Sequence, residues 1–501
     1  MPRKLRVLIV YPNIPMMLVA PLATAIFTWI LRQEGHDVQL FETTRYWDGN
    51  LNSPQNRVKY LQARSTFAQE NLESLKPDNM EVDFRNKLEE YRPDLLLYSF
   101  TEDALLRALH LLRISNPMKI PSIIGGVLAT SDPEWVISFP EVKILCVGEG
   151  EEVVRDVARR LARGQDLSGI PNLWIKKTDG SVERNGMRPY VNLDHYSADF
   201  SVFDPSRFVR PMGGKIHRAL PIETYRGCPN RCTYCNSPMH NRIAREQKRV
   251  YLRRRTIEGS KNEIRNLVDN YRANLLYFVD DSFLARPRRE INDFIDMYKE
   301  FRTPFWFNTR PEHCTGDILQ RLKEVGVFRG SFGVESGNEE FRRKYLHRNV
   351  SNRNLLSHFE IIKDSGIRYS INCIIGLPFE TREMVFDTIR LVRQIRGYDA
   401  ITVSIFTPYR GTILRRQAID AGWLDAEALT VHTTSTSMLN MPNFTAKQID
   451  GLMQTFPLYV EFEESLWPEI ERIERFEPGW RNLLETYSQI YRENHWGVED
   501  R

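Results

Sequence analysis

The sequence predicts an α/β protein in three parts: an N-terminal doubly wound parallel sheet, a partial (β/α)6 barrel and a helical C-terminal cap. Three observations predict it. Short, continuous apolar runs alternate with helical stretches over residues 1–168, the pattern of parallel strands covered on both faces. The alternation pauses, then resumes from Leu220 to Phe406 with six further strand-and-helix units, enough for a partial barrel. Past residue 413 it stops, and the rest is helical and rich in tryptophan and tyrosine.

Composition sets the outer limits. A chain of 501 residues, 42% hydrophobic and 27% charged, has the length of about three domains and the balance of an ordinary folded protein. Its net charge of +4 gives no reason to expect nucleic acid as a partner. Six cysteines, three of them clustered, do not make a disulfide framework; they fit a reducing cytoplasm, where thiols stay available to metal. One uncharged run, Ile14 to Leu31, has the length of a membrane span. Pro15 and Pro21 would break such a helix, so a turn and a buried helix are expected instead, with no membrane partner.

In the first domain, residues 1–168, strands are expected at Val7–Val10, Val38–Phe41, Leu95–Tyr98, Ile120–Ile124 and Ile144–Val147. Helices are expected at Leu22–Arg32, Glu102–Ile114, Pro133–Ser138 and Glu151–Ala162. A ligand of such a sheet sits beyond the carboxyl ends of the strands. The residues there are Pro12, Ser99, Thr101, Glu102, the turn Gly125-Gly126-Val127 and the turn Gly148-Glu149. Paired glycines after a buried strand let backbone approach a ligand closely. A plain strand-to-helix turn, with Glu151 and Glu152 favouring the helix N-terminus, accounts for the same residues. Residues 45–92 interrupt the domain with a polar, mostly helical insert. Its alternating charges, among them Arg57, Lys59, Arg64 and Glu89, suggest a solvated face. Residues 169–218 read as a connector: a hairpin turning at Thr178-Asp179-Gly180, then a proline-punctuated loop.

The barrel is expected over residues 219–412, with strands at Pro221–Arg226, Leu275–Val279, Phe305–Asn308, Arg329–Gly333, Tyr369–Ile375 and Ile401–Phe406. Its site belongs at the C-terminal mouth of those strands. The first strand leads into Glu223–Pro238, ETYRGCPNRCTYCNSP, which holds Cys228, Cys232 and Cys235 in a C-x3-C-x2-C spacing. Three thiolates so close can grip three corners of an iron–sulfur cube. No fourth cysteine follows until Cys314, so one iron would stay open to a small molecule. A zinc knuckle completed by His240 competes with this, although structural zinc prefers paired spacings and closed four-ligand sites. Buried, unliganded thiols are the other alternative.

Each later strand also ends in polar residues: Asp280-Asp281-Ser282, Asn308 with Arg310, Gly333-Val334-Glu335-Ser336, Ile375 to Glu380, and Phe406 to Thr412 with Tyr409. Any one of these could be a helix cap or a turn. Six in order, counting the cysteine loop, read as the wall of one site. Cys314 and Cys373 are expected to pack rather than ligate. The cap, residues 413–501, carries Trp423, Trp467, Trp480 and Trp496, read as core before cavity lining.

The cysteine spacing, with Tyr234 just before the last cysteine, resembles the radical S-adenosylmethionine (SAM) superfamily. The resemblance implies a 4Fe-4S cluster on Cys228, Cys232 and Cys235, with S-adenosyl-L-methionine chelating the open iron. It implies SAM contacts from Tyr234, Asp280, Asp281, Asn308, Arg310, Glu335, Ser336, Ile375 and Tyr409. Of these, Asp280-Asp281 stand where the family's Gly-Gly-Glu usually takes the SAM amine, Arg310 suits the carboxylate, Glu335 the ribose, and Ile375 begins the adenine stretch.

In the first domain, Tyr11-Pro12-Asn13, Gly35-His36-Asp37-Val38, Gly125-Gly126 and Val147-Gly148-Glu149-Gly150-Glu151 follow in an order similar to the cobalamin-binding domain fused in front of radical SAM domains. Its implied contacts are Pro12, Ser99, Thr101, Glu102, Gly125, Gly126, Val127, Gly148 and Glu149. The D-x-H-x-x-G motif whose histidine ligates cobalt is missing, so this domain would offer the metal no histidine. The resemblance implies an oxygen-sensitive, cobalamin-dependent radical SAM enzyme. It would cleave SAM to a 5′-deoxyadenosyl radical and methylate an unactivated carbon or phosphorus centre of a small molecule, drawing electrons from a reductant such as flavodoxin or ferredoxin. Radical oxidation, cyclisation or rearrangement without methyl transfer, as in the anaerobic porphyrin-ring cyclases, is the alternative. A non-catalytic metal-binding scaffold or sensor is the third.

Overall fold

A computed structural model of the chain describes residues 2–15, 19–47, 53–64, 75–76, 79–212 and 215–496. The chain divides into two compact units. The first is made of residues 1–50, 74–209 and 244–273, the second of residues 51–73, 210–243 and 274–501.

The first unit is built on a seven-stranded sheet in the order β2-β1-β3-β4-β5-β6-β7. Strands β1 (Arg6–Tyr11), β2 (Asp37–Glu42), β3 (Leu95–Ser99), β4 (Ser122–Gly125) and β5 (Ile144–Cys146) are the five legible in the sequence, and all are parallel. Their continuous apolar runs are buried: Val7, Leu8, Ile9 and Val10 in β1, and Leu95 to Tyr98 in β3, lie within the core. The expected hairpin forms as β6 (Leu173–Lys176) and β7 (Val182–Arg184), antiparallel to one another. It extends this sheet past β5 rather than standing apart from it. The uncharged run yields a helix at Leu22–Gln33 that follows Pro21; residues 16–18 lie outside the described residues. Among the described residues no helix is long and apolar enough to cross a membrane.

The second unit holds another seven-stranded sheet, in the order β14-β13-β12-β11-β10-β9-β8. Its strands are β8 (Val209–Met212), β9 (Lys215–Ile222), β10 (Leu275–Phe278), β11 (Phe305–Thr309), β12 (Val327–Glu335), β13 (Arg368–Ile375) and β14 (Ala400–Ile405). From β9 to β14 all neighbours are parallel, as a half-barrel requires. The sequence reading took the stretch around Pro211 for loop; it forms the edge strand β8. A proline is tolerated there because its missing N–H need not face a neighbour.

Side-chain alternation gives this sheet two different faces. Phe278, Phe305, Phe307, Phe332, Ile371, Val403 and Ile405 on one face are buried. Phe278 meets Phe283, Phe305 and Phe294 edge-on at 5.1, 5.3 and 5.4 Å, each pair contributing about 0.5–1.5 kcal/mol beyond its buried area. The other face, the lumen, carries Tyr277, Trp306, Asn308, Ser331, Ser370, Asn372, Thr402 and Ser404, in register from strand to strand. Trp306 Nε1 donates to Ser331 Oγ at 2.7 Å, the Ser331 and Ser370 hydroxyls are 3.0 Å apart, and Asn308 Nδ2 donates to Tyr277 OH at 2.6 Å.

The insert corrects another expectation. Its helix Ser53–Lys59 and the following Tyr60–Gln62 cluster with the second unit, not with the sheet they interrupt in sequence. Arg57 Nη1 donates to Val403 O at 2.7 Å and Nη2 to Ser404 Oγ at 3.2 Å, while Val403 N donates to Gln62 Oε1 at 3.1 Å. With Ile405 N donating to Thr433 O at 2.8 Å, these contacts satisfy the open side of edge strand β14. Arg57 is therefore not part of a solvated face. Near the C-terminus, the helix Ala446–Glu461 opens on a capping box of Thr445 and Gln448. Tyr459, Tyr487 and Tyr491 are buried, and Tyr459 meets Trp467 edge-on at 5.4 Å.

Candidate active site

Strand β9 ends at Ile222 and hands the chain to the cysteine loop. The start of that loop is tied to the end of β10 by Asp280. Its carboxylate accepts from Thr224 N at 2.7 Å, Thr224 Oγ1 at 2.6 Å and Tyr225 N at 3.0 Å, and pairs with Arg286. Both oxygens are thereby occupied and the side chain is buried, so the Asp280 carboxylate positions the loop and leaves only the backbone carbonyl to meet a SAM amine. Asp281 stays exposed at the mouth. Desolvation by the surrounding protein, together with the Glu223 and Asp280 charges, raises its pKa to about 6.

Cys228 and Cys232 are buried, Cys235 is half-buried, and all three are free thiols. Asn230 Nδ2 donates to Cys228 Sγ at 3.2 Å, Arg310 Nη2 to Cys232 Sγ at 2.7 Å and Ser237 N to Cys235 Sγ at 3.5 Å. Burial raises the pKa of Cys228 and pushes Cys235 up to about 11, and both feel Cys232. Thiols so placed are ionised by a metal centre rather than by solvent. Among the described residues no three Cys, His, Asp or Glu side chains, the three cysteines included, gather closely enough to hold a single metal ion. A cube of irons spreads its thiolates wider than one tetrahedral ion does, and three sulfur donors with hydrogen-bond donors beside them fit such a cube.

A charged network runs behind the loop. Glu335 ends β12 with φ at +64°, an uncommon conformation for a side-chain-bearing residue, next to a register shift against β13. Its carboxylate meets Arg348 Nη1 at 3.2 Å and is hydrogen-bonded to Tyr234. Burial nonetheless holds the Glu335 pKa above the ordinary carboxylate range. Arg348 is itself buried and reaches Glu312 at 3.3 Å and Gly333 O at 2.9 Å; Glu312 in turn meets Arg310 at 3.4 Å. A continuous path thus links Tyr234, Glu335, Arg348, Glu312, Arg310 and Cys232. Ser336 next to it is fully buried, and its hydroxyl has no hydrogen-bond partner among the described residues.

The remaining expected SAM contacts are less free. Asn308 is committed to Tyr277 in the lumen wall. The Ile375 side chain lies in the core and its carbonyl accepts from Phe406 N at 2.8 Å. Tyr409 sits in the turn before the helix Ile413–Asp420, its N–H donating to Thr407 O at 2.9 Å. The loop after β13 is shaped by Glu380, whose Oε2 accepts from Gly376 N at 2.7 Å and Leu377 N at 3.2 Å; burial pushes its pKa up to about 8. Phe379 in this loop has φ at +70° and stacks on Tyr345 at 4.8 Å. The structure therefore gathers Tyr234, Arg310 and Glu335 with the cysteines and turns Asp280 and Ile375 into the protein. Sequence reasoning missed Arg348, Glu312 and Glu380. Only Glu380, closing the Gly376-to-Glu380 loop, stood within a stretch that was singled out.

In the first unit the strand ends are occupied in part by the protein itself. A Cβ on Gly126, whose φ is +110°, would lie 2.4 Å from Phe100 O; one on Gly148, at φ +93°, would lie 2.6 Å from Met187 Cε and 2.8 Å from Asn172 Nδ2. Their bareness therefore serves packing. A Cβ on Gly125 would meet only ordinary contacts, the nearest at 3.7 Å. Glu149 pairs with Arg253 and accepts from Val191 N at 2.9 Å. Pro12 and Glu102 are buried, Thr101 Oγ1 is bonded to Asp103, Ser99 ends β3, and Val127 opens the helix Val127–Ser131.

Residues 222–392 match the Radical SAM superfamily. The chain is 25% identical over 399 residues to an uncharacterized methyltransferase of Pyrococcus horikoshii, covering 78% of this chain and 83% of that protein. It is 22% identical over 351 residues to the anaerobic magnesium-protoporphyrin IX monomethyl ester cyclase of Rubrivivax gelatinosus, covering 68% and 60%. The radical SAM methyltransferase TsrM of Kitasatospora setae, with cobalamin and a 4Fe-4S cluster bound, superposes with a TM-score of 0.62 at 15% identity, covering 98% of this chain and 100% of that one. The cobalamin-dependent SAM radical enzyme OxsB, with aqua-cobalamin and SAM bound, gives 0.65 at 16% identity, covering 98% and 71%. At such identities the structural likeness is one of fold. With its three-cysteine loop inside the matched region, the chain carries the radical SAM domain and is a radical SAM enzyme, sharing the overall fold of cobalamin-dependent members.

Proposed function

We propose that this radical SAM enzyme is a cobalamin-dependent methyltransferase acting on an unactivated carbon or phosphorus centre of a small molecule. The observation that supports it is that 98% of the chain, and not the cysteine domain alone, follows the fold of two cobalamin-bound radical SAM enzymes. On this reading residues 1–168 hold cobalamin beyond the ends of β1, β3, β4 and β5, at the point where the strand order reverses. Residues 169–218 connect, 219–412 hold the cluster and SAM, and 413–501 cap the barrel. Cys228, Cys232 and Cys235 hold the cluster. Tyr234, Asp281, Arg310, Glu335, Ser336 and Tyr409 line the SAM site; Pro12, Ser99, Thr101, Glu102, Gly125 and Val127 face the corrin.

When bound, cobalamin supplies a methyl carrier able to serve centres that are not nucleophilic. The chain's own residues orient and shield: Arg310 holds the Cys232 sulfur, and Glu335 and Arg348 fix the strand end beside it. A flavodoxin or ferredoxin of a reducing cytoplasm supplies the electron.

Radical cyclisation without methyl transfer is the second reading, favoured by the likeness to the porphyrin ester cyclase. Product analysis separates the two. Methyl transfer yields S-adenosylhomocysteine alongside 5′-deoxyadenosine when the true substrate turns over; 5′-deoxyadenosine alone would overturn the methyltransferase reading. Retention of a stoichiometric corrinoid absorption band after gel filtration with hydroxocobalamin is the accompanying expectation.

A further inference from the structure

Arg57 is a half-buried cation with no carboxylate beside it among the described residues. Several inward-facing arginines of the chain meet a carboxylate: Arg286 meets Asp280, Arg207 meets Glu42, and Arg348 meets Glu312 and Glu335. Arg342 instead spreads its charge over Ser336 O, Val350 O and Asn352 Oδ1, and its Nε is sealed away from any partner. Arg57 resembles Arg342 in its partners and differs from it in burial. Its partners, Val403 O, Ser404 Oγ and Gln62 Oε1, are all neutral, and it remains half-buried rather than sealed.

Donor counting makes this specific. A guanidinium has five N–H groups in a planar fork. Nη1 gives two, to Val403 and Gln62, and Nη2 gives one to Ser404. Nε–H, which lies parallel to the neighbouring Nη2–H on one edge of the fork, and one Nη2–H have no partner among the described residues. That edge matches a carboxylate or phosphate in two parallel hydrogen bonds. Desolvation pushes the Arg57 pKa down to about 10, which leaves it a cation at neutral pH.

The place of this edge matters as much as its chemistry. Ser404 lies in register with Ile374, on the lumen face shared by Asn372, Thr402 and Ser370, one residue before β14 ends. It stands at the carboxyl end of the last barrel strand, the end at which the cysteine loop follows β9, with the polar lumen wall between. Gln62 bonds both Arg57 and Val403 N, so the guanidinium is fixed before any ligand arrives.

We propose that Arg57 anchors an anionic group, a carboxylate or a phosphate, of the substrate at the β14 side of the lumen, leaving the rest of the molecule to extend toward the cluster. This rests on reading the lumen as the substrate chamber.

The full-length chain would be titrated in chloride-free buffer of constant ionic strength with inorganic phosphate in one arm and succinate in the other, followed by calorimetry. Wild type should bind at least one, and the stronger arm names the anion. Arg57→Gln should weaken that binding by about tenfold or more, and Arg57→Lys, which keeps charge but loses the fork, should fall between. If Arg57→Gln fails to fold, Ser404→Asp decides: a carboxylate built in beside Arg57 should exclude the added anion while Arg57 stays. Indifference of wild type to both anions, or a foldable variant that binds as wild type does, would overturn the proposal. Cleavage of SAM by reduced wild type is measured on the same preparation; its failure would count against the radical reading and leave the anion result standing.

Discussion

Cys232 accepts a hydrogen bond from the Arg310 guanidinium, a charged donor, and lies between two thiols whose pKa values are raised by burial. Cys232→Ala should remove the visible iron–sulfur absorption and most of the bound iron without unfolding the chain; an unchanged spectrum would mean the cluster sits elsewhere. Arg348→Met leaves Glu335 and Glu312 facing one another without their shared cation, and should cost about 3 kcal/mol in denaturant unfolding. A loss within error would show that the network does not hold the strand end. Glu380 makes a prediction in pH. The unfolded chain ionises it near 4.5, whereas the folded chain keeps the proton to about 8. Stability therefore falls as pH rises through that window. Glu380→Gln, which has no proton to lose, should gain on wild type by about 2–4 kcal/mol at pH 8 and by little at pH 4.5; melting curves at the two values test this, and a pH-independent difference contradicts it. The cysteines could be read from spacing alone. Arg348 could not, because a buried arginine in a loop beyond the strand it serves leaves no periodic trace.

Strands were legible where their residues are uniformly apolar, as in β1 and β3. The barrel strands were found as well, but their two-faced character is a property of neighbours in register: Ser331 and Ser370 acquire meaning only when hydrogen-bonded across strands. Strand β8 was missed because Pro211 reads as loop until its edge position is known. At Gly126 and Gly148 close neighbours of the fold itself require the bare backbone. Gly126→Ala would drive a methyl into Phe100 O at a left-handed φ, so a loss of about 2 kcal/mol or more in unfolding free energy is expected. If the alanine variant is as stable as wild type, packing is not what keeps that position bare.

The division into two α/β units and a helical tail was legible because hydrophobic periodicity survives without any knowledge of contacts. The chain path between units was not. Residues 53–64 leave the first sheet to join the second unit, and 244–273 do the reverse; both are too polar to announce where they belong. The radical SAM assignment depends on one loop placed at the end of β9 in the second unit. The most direct test is to reconstitute the chain anaerobically with iron and sulfide, reduce it with dithionite, add SAM and quantify 5′-deoxyadenosine. Wild type should form it and Cys232→Ala should not; a wild-type chain with its full iron content that yields none would contradict the account.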